Sequence, residues 1–194
     1  MRQTEVPGRR ALFLDRDGVI NQDFGYVHTP DRTEWVDGVF DLCSRAQALG
    51  MAIVVVTNQA GIARGYYTEN DFLAYTAWMI EQFRARGVQI LAVYHCPHHP
   101  EMGKGALKTV CDCRKPAPGM ILRAAREHAL DLPHSALIGD KVSDIRAADA
   151  AGVGLRILVG QDGFGDSGIP RAARVETLAE AAWKLEEWHQ NELR

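Results

Sequence analysis

The chain has 194 residues, 46% apolar and 24% charged, and Lys+Arg 22 against Asp+Glu 25 leave a net charge of −3. One domain accounts for that length, and such a domain buries roughly 70% of its unfolded surface, so it needs no disulfide scaffold to hold a core. Ordinary composition excludes collagen-like, low-complexity and disordered classes, and the mildly acidic balance supplies no general field for nucleic acid.

In chain order, Arg10–Leu14 is a short apolar run that ends at Asp15. Val39–Leu49 has helical spacing and stops at Gly50, a suitable C′ residue. Met51–Val56 is rich in β-branched residues and ends at Thr57. Thr68–Arg86 reads as an amphipathic helix with Thr68 as N-cap, Asp71 at N3 and Gly87 as stop. Val88–His95 is a third strand, Pro118–Ala129 a helix, and Ser135–Ile138 a fourth strand ending at Gly139-Asp140. Ser143–Ala151 is a helix closed by Gly152, Gly154–Val159 a fifth strand, and Glu176–His189 a terminal helix. Apolar strands alternating with helices predict an α/β fold: a three-layer, doubly wound parallel sheet covered on both faces. Ligands of such sheets bind at the carboxyl ends of the strands. The residues at those ends are Asp15/Asp17, Thr57/Asn58, Cys96/His98 and Asp140, each polar or metal-binding.

Asp15-Arg16-Asp17-Gly18 places two carboxylates on one side of an extended chain. They repel unless a cation lies between them, and oxygen ligands suit Mg²⁺. One carboxylate can attack an electrophile while the other moves a proton. A solvated acidic turn is the alternative. Asp140, in Gly139-Asp140-Lys141-Val142-Ser143-Asp144, can add a third carboxylate, with Asp144 as indirect ligand or anchor; a carboxylate favoured by a helix N-terminus is the alternative. Thr57 offers a hydroxyl to a phosphate oxygen or simply caps a turn. Lys115 can neutralise a transferring group, or be a solvated surface residue.

The ordered set Asp15-Arg16-Asp17-Gly18, Val56-Thr57-Asn58, Lys115 and Gly139–Asp144 resembles the four motifs of the haloacid dehalogenase (HAD) superfamily of phosphatases, over residues 10 to 152. The resemblance implies Asp15 as nucleophile, through an aspartyl-phosphate, and Asp17 as acid and base. It also implies Thr57 and Lys115 as phosphoryl-binding groups, and Mg²⁺ held by Asp15, the Asp17 carbonyl and Asp140.

Three of the four cysteines cluster with a histidine. Cys96-x-His98 and Cys111-x-Cys113 form two chelating pairs, a closed tetrahedral set suited to structural Zn²⁺. Disulfides or free thiols beside a chance histidine are the alternatives. Alternation selects His98 over His99. Cys43 falls in a helix as a buried thiol. Arg2, Arg9 and Arg10 imitate a signal n-region, but the apolar run after them stops at Asp15. A cytoplasmic enzyme with no membrane or nucleic-acid partner is therefore expected, as a monomer.

The zinc loop narrows the resemblance to the branch of the superfamily that holds heptose-bisphosphate 7-phosphatases and histidinol phosphatases. The stretches Asp15–Asn21, Gly25–His28, Thr57–Gly65 and Cys113–Met120 and the long spacing of the zinc pairs resemble the former; Ala60 departs from it, where Ser is usual. The implied substrate is a sugar bisphosphate, met by Asp23, Phe24, Gly25, Tyr26, Asn58, Gln59, Ala60, Arg64, Arg114 and Lys141. Arg114 suits the second, non-reacting phosphate. The short segment between the first two strands leaves no room for a large cap, so one domain over residues 1–194 with a zinc loop at 96–113 is expected. A non-catalytic metal-binding scaffold is the non-enzyme alternative.

Overall fold

The computed structural model describes residues 8–160 and 171–192. The apolar run after Arg10 forms β1 (Ala11–Leu14), and β2 (Ala52–Asn58), β4 (Ala136–Gly139) and β5 (Leu155–Val159) follow as expected. Their side chains alternate between the two faces. Leu12, Leu14, Ile53, Val55, Ala136 and Ile138 enter one core; Ala11, Phe13, Ala52, Val54, Val56 and Leu137 enter the other. Helices α1 (Val39–Ala48), α3 (Glu69–Arg84) and α6 (Leu178–Glu192) cover the first face, and α4 (Gly119–His128) and α5 (Val142–Ala151) cover the second. Each fully buried Leu, Ile, Val or Phe contributes roughly 1.5–3 kcal/mol, which explains why β1, β2 and β4 carry apolar residues toward both faces.

With β3 (Ile90–Cys96) and β6 (Ala173–Val175), the described strands are all parallel, in the order β3-β2-β1-β4-β5-β6. The chain reverses its direction of travel across the sheet between β1 and β4, which opens the crevice where doubly wound sheets bind ligands. Asp15 and Asp140 stand at the ends of those two strands.

Several local expectations hold. Thr68 and Asp71 form the reciprocal capping box, with Thr68 N–H to Asp71 Oδ2 at 2.8 Å and Asp71 N–H to Thr68 Oγ1 at 3.1 Å. Gly50, Gly87 and Gly152 take the positive φ that ends their helices. Three features differ from the reading above. A short helix α2 (Ala60–Arg64) directly follows β2, too brief to show periodicity. A sixth strand, β6 (Ala173–Val175), is three residues long and pairs with β5. The third strand, β3 (Ile90–Cys96), is an edge strand and only half-buried, so its apolar sequence does not reflect two covered faces. Gln161–Gly168 lie outside the described residues. No described helix is long and apolar enough to cross a membrane.

Candidate active site and zinc centre

A cavity of about 300 Å³ opens at the carboxyl ends of β1 and β2. Asp15, Asp17, Asp23, Thr57, Lys115 and Lys141 line it, with Gly25, Tyr26, Asn58, Gln59, Ala60, Tyr67, Ser143 and Asp144. Asp15 leaves β1 with its N–H bonded to the Ile138 carbonyl, so β4 sets its position. Lys115 reaches in from the segment that precedes α4. Its Nζ lies 2.8 Å from Asp15 Oδ1, 2.6 Å from Asp144 Oδ1 and 2.8 Å from the Val56 carbonyl. Asn58 holds the Lys115 backbone at both ends, donating to its carbonyl (3.1 Å) and accepting from its N–H (3.0 Å). Burial lowers the affinity of the ammonium for its proton, but the Asp144 and Asp15 carboxylates outweigh this and raise it. Burial pushes the Asp15 carboxyl up, against the pull of Lys115.

Asp17 turns toward Arg16, which is fully buried. Arg16 Nη2 lies 2.7 Å from Asp17 Oδ1 and 2.8 Å from Oδ2, and Arg16 Nε is 3.1 Å from Oδ1. Asn21 Nδ2 adds a bond to Oδ1 at 3.0 Å. Tyr75 packs against the guanidinium at 5.1 Å.

Asp15, Asp140 and Asp144 each offer one carboxylate oxygen, and these three oxygens lie within 4.8 Å of one another. Burial and then the Asp15 charge push the Asp140 carboxyl up to about 7. Its Oδ1 is buried with no hydrogen-bond partner. Gly18, at φ +93°, leaves room for its Oδ2, since a Cβ there would stand 2.2 Å from that oxygen. Converging carboxylates with an unsatisfied oxygen fit a hard divalent cation such as Mg²⁺. Asp144 is already committed to Lys115 and to the Lys141 N–H (3.0 Å), which makes it an anchor of that set.

Cys96 ends β3, and the loop it opens returns through Cys111 and Cys113. The three sulfurs stand 3.0–3.5 Å apart, and His98 Nδ1 is 3.7 Å from Cys96 Sγ and 3.3 Å from Cys113 Sγ. These are close to, and slightly inside, the edges of about 3.7 Å expected of a tetrahedral zinc–thiolate site. All four cysteines are free, so disulfide pairing does not occur. His99 is used differently: its Nδ1 accepts from the Glu101 and Met102 N–H groups. The set fits Zn²⁺ with no open position.

Not every expected contact lines the cavity. Phe24 is 55% exposed. Arg64 stacks 5.7 Å over the Tyr26 ring, and Arg114 Nη1 donates to the His98 carbonyl at 3.2 Å, so both stand outside the lining. Lys141 pairs with Asp23 at 2.9 Å, joining the short loop after β1 to the start of α5. Tyr67, Ser143 and Arg16 are the site residues that sequence reasoning missed. Tyr67 gave no signal beyond an aromatic side chain after a glycine turn.

The sequence model of the HAD-hydrolase-like family matches residues 112–181. A D-glycero-beta-D-manno-heptose-1,7-bisphosphate 7-phosphatase from Yersinia pestis is 48% identical over 175 residues, 90% of this chain and 89% of the relative. The chain belongs to the HAD-type heptose-bisphosphate phosphatase family. A D-glycero-alpha-D-manno-heptose-1,7-bisphosphate 7-phosphatase from Burkholderia mallei is 53% identical over 150 residues, 77% of this chain and 79% of the relative. Among solved structures, a D,D-heptose 1,7-bisphosphate phosphatase from B. bronchiseptica, complexed with magnesium and phosphate, superposes with a TM-score of 0.79. It is 32% identical and covers 92% of this chain and 99% of its own. The phosphatase thus shares its fold with a relative that holds Mg²⁺ and phosphate.

Proposed function

We propose that this phosphatase removes the 7-phosphate of D-glycero-D-manno-heptose 1,7-bisphosphate, in nucleotide-heptose or lipopolysaccharide-core biosynthesis, through an aspartyl-phosphate on Asp15. The observation that carries the chemistry is the buried Lys115 ammonium 2.8 Å from Asp15, beside a three-carboxylate cluster. An anionic nucleophile meets an anionic phosphate here, so charge neutralisation and positioning are the main tasks of the site. Mg²⁺, held by Asp15, Asp140 and the Asp17 carbonyl, would offset the charge of the phosphoryl oxygens.

In this reading an Asp15 oxygen attacks phosphorus and the bond from phosphorus to the sugar oxygen breaks. Asp17 gives that oxygen its proton. Asp17, now a carboxylate, takes a proton from water, which attacks phosphorus and releases inorganic phosphate and free Asp15. Thr57 and Lys115 hold the phosphoryl oxygens. Asp23, Phe24, Gly25 and Tyr26 on one side and Asn58, Ala60, Arg64, Arg114 and Lys141 on the other receive the sugar and its second phosphate. Zinc holds the 96–113 loop, which leads directly into Arg114 and Lys115. The fused arrangement supports a single domain, with the short loop after β1 in place of a cap.

The test is phosphate release by purified protein with Mg²⁺, from both anomers of the heptose bisphosphate, fructose 1,6-bisphosphate and histidinol phosphate. The heptose bisphosphate is expected to have the highest kcat/KM, and Asp15→Asn to abolish release with the fold retained. Preference for histidinol phosphate, or release by the folded Asp15→Asn protein, would overturn the assignment.

A further inference from the structure

Gln59 is 2% exposed at the start of α2, and its side chain is fully engaged. Its amide nitrogen lies 3.1 Å from Asp17 Oδ2 and 2.7 Å from Thr57 Oγ1, and its Oε1 lies 2.6 Å from the Tyr67 hydroxyl. The amide thus presents its nitrogen to Asp17 and Thr57 and its oxygen to Tyr67. Both N–H groups are then spent, one on Asp17 and one on Thr57. The oxygen end faces Tyr67, which must donate. Burial raises the Tyr67 phenol to about 12, in keeping with a retained proton. Thr57 is 1% exposed and receives its bond from Gln59. Its own O–H has no acceptor among the described residues, and that proton is left to point into the cavity.

The chain of bonds has rigid supports. The Gln59 N–H donates to the Cys96 carbonyl at 2.8 Å, tying it to the first residue of the zinc set. The Tyr67 ring stacks on His28 at 4.4 Å and lies against Gly61, where a Cβ would stand 2.2 Å from the ring.

We propose, on the basis of the phosphatase reading above, that Gln59 is a positioning residue that makes Thr57 a hydrogen-bond donor to the phosphoryl group and holds Asp17 toward the leaving oxygen, with Tyr67 fixing the amide. Gln59 therefore acts through two other side chains rather than by gripping the sugar. A phosphoryl-binding hydroxyl that is forced to donate stabilises the charge that builds on the transferring group. The same amide keeps the acid/base carboxylate at a constant distance from it.

The two arms separate experimentally. The value of kcat/KM covers the steps up to departure of the leaving group. An aryl leaving group such as p-nitrophenolate departs without a proton, whereas a sugar oxygen needs one. Gln59→Leu is expected to lower kcat/KM on p-nitrophenyl phosphate about tenfold and on the heptose bisphosphate about a hundredfold. In a Thr57→Val background the same substitution is expected to cost the aryl ester less than about twofold, because the hydroxyl it acts through is gone. Tyr67→Phe keeps the ring packing and is expected to follow the same pattern at roughly a third of the effect. It carries both comparisons if Gln59→Leu fails to fold by thermal melt. Equal losses on the two esters, or a loss on the aryl ester undiminished in the Thr57→Val background, would overturn the proposal. Absence of phosphate release by the wild-type protein from either ester would instead overturn the phosphatase reading, and this proposal with it.

Discussion

The Lys115 ammonium lies 2.6 Å from Asp144 Oδ1, and both side chains are almost wholly buried. The same nitrogen faces Asp15 at 2.8 Å, so one cation serves two buried carboxylates. Removing one member of such a set leaves uncompensated charge in the interior, which costs about 3–5 kcal/mol. Lys115→Met is therefore expected to destabilise the metal-free protein by about that amount in urea unfolding and to abolish phosphate release. Added Mg²⁺ should recover part of the stability and none of the activity. Unchanged stability in the folded, metal-free variant would show that the pair is not what holds Asp15 and Asp144 together.

The acid cluster also predicts how metal and pH interact. Burial and the Asp15 charge push Asp140 up to about 7, and burial raises Asp15 as well. A carboxyl raised above its unfolded value of about 4 contributes stability that is complete below that value and is lost as pH rises toward the folded value. Metal-free protein should therefore lose Tm as pH rises from about 4 to about 7, and little more above that. The rise in Tm on adding Mg²⁺ should be larger near pH 8 than near pH 6, because protons compete for the same oxygens at the lower pH. Scanning calorimetry at both pH values, with and without Mg²⁺, checks this. Equal gains would contradict it.

Gly18→Ala tests the geometry of the same cluster. Gly18 has φ +93°, and an added methyl would stand 2.2 Å from Asp140 Oδ2. Backbone cost alone is roughly 1–2 kcal/mol. Displacement of the carboxylate should weaken Mg²⁺ affinity by at least about tenfold, measured by titration calorimetry. Wild-type affinity in the folded variant would mean that Asp140 does not hold the metal.

Zinc removal should act through the loop rather than the nucleophile. Burial raises the Cys96 thiol, so without metal this group stays protonated at neutral pH. Protein stripped of zinc, verified by metal analysis, is expected to melt roughly 10 °C lower and to show a raised KM with a smaller change in kcat. Full stability and activity in verified zinc-free protein would remove the structural role.

Arg114 is positioned by that loop, with its Nη1 on the His98 carbonyl at 3.2 Å. If it receives the non-reacting phosphate, Arg114→Ala should raise KM for the bisphosphate about tenfold or more and for a matched monophosphate less than about threefold. Equal effects would place Arg114 elsewhere in the reaction.

Pattern along the chain was enough for the scaffold and for the types of residue at the strand ends. Apolar strands separated by amphipathic helices can bury both faces of a sheet in few ways, so the parallel pairing and the strand-end places of Asp15, Thr57 and Asp140 followed from local pattern. The Cys96, His98, Cys111 and Cys113 spacing was equally legible, because chelation depends on short separations along the chain. The edge position of β3 and the three-residue β6 were not legible, since neither periodicity nor composition reports which strand stands at a border. The partners of the polar groups were decided by the tertiary structure. Lys115 meets Asp15 and Asp144 across 100 and 29 residues of chain, and Gln59 meets Asp17 across 42. Buried polar groups must find partners, but which ones they find depends on the packing of distant segments. For that reason the type of each side chain proposed for catalysis was visible in the sequence, while its committed hydrogen bonds became visible in the fold.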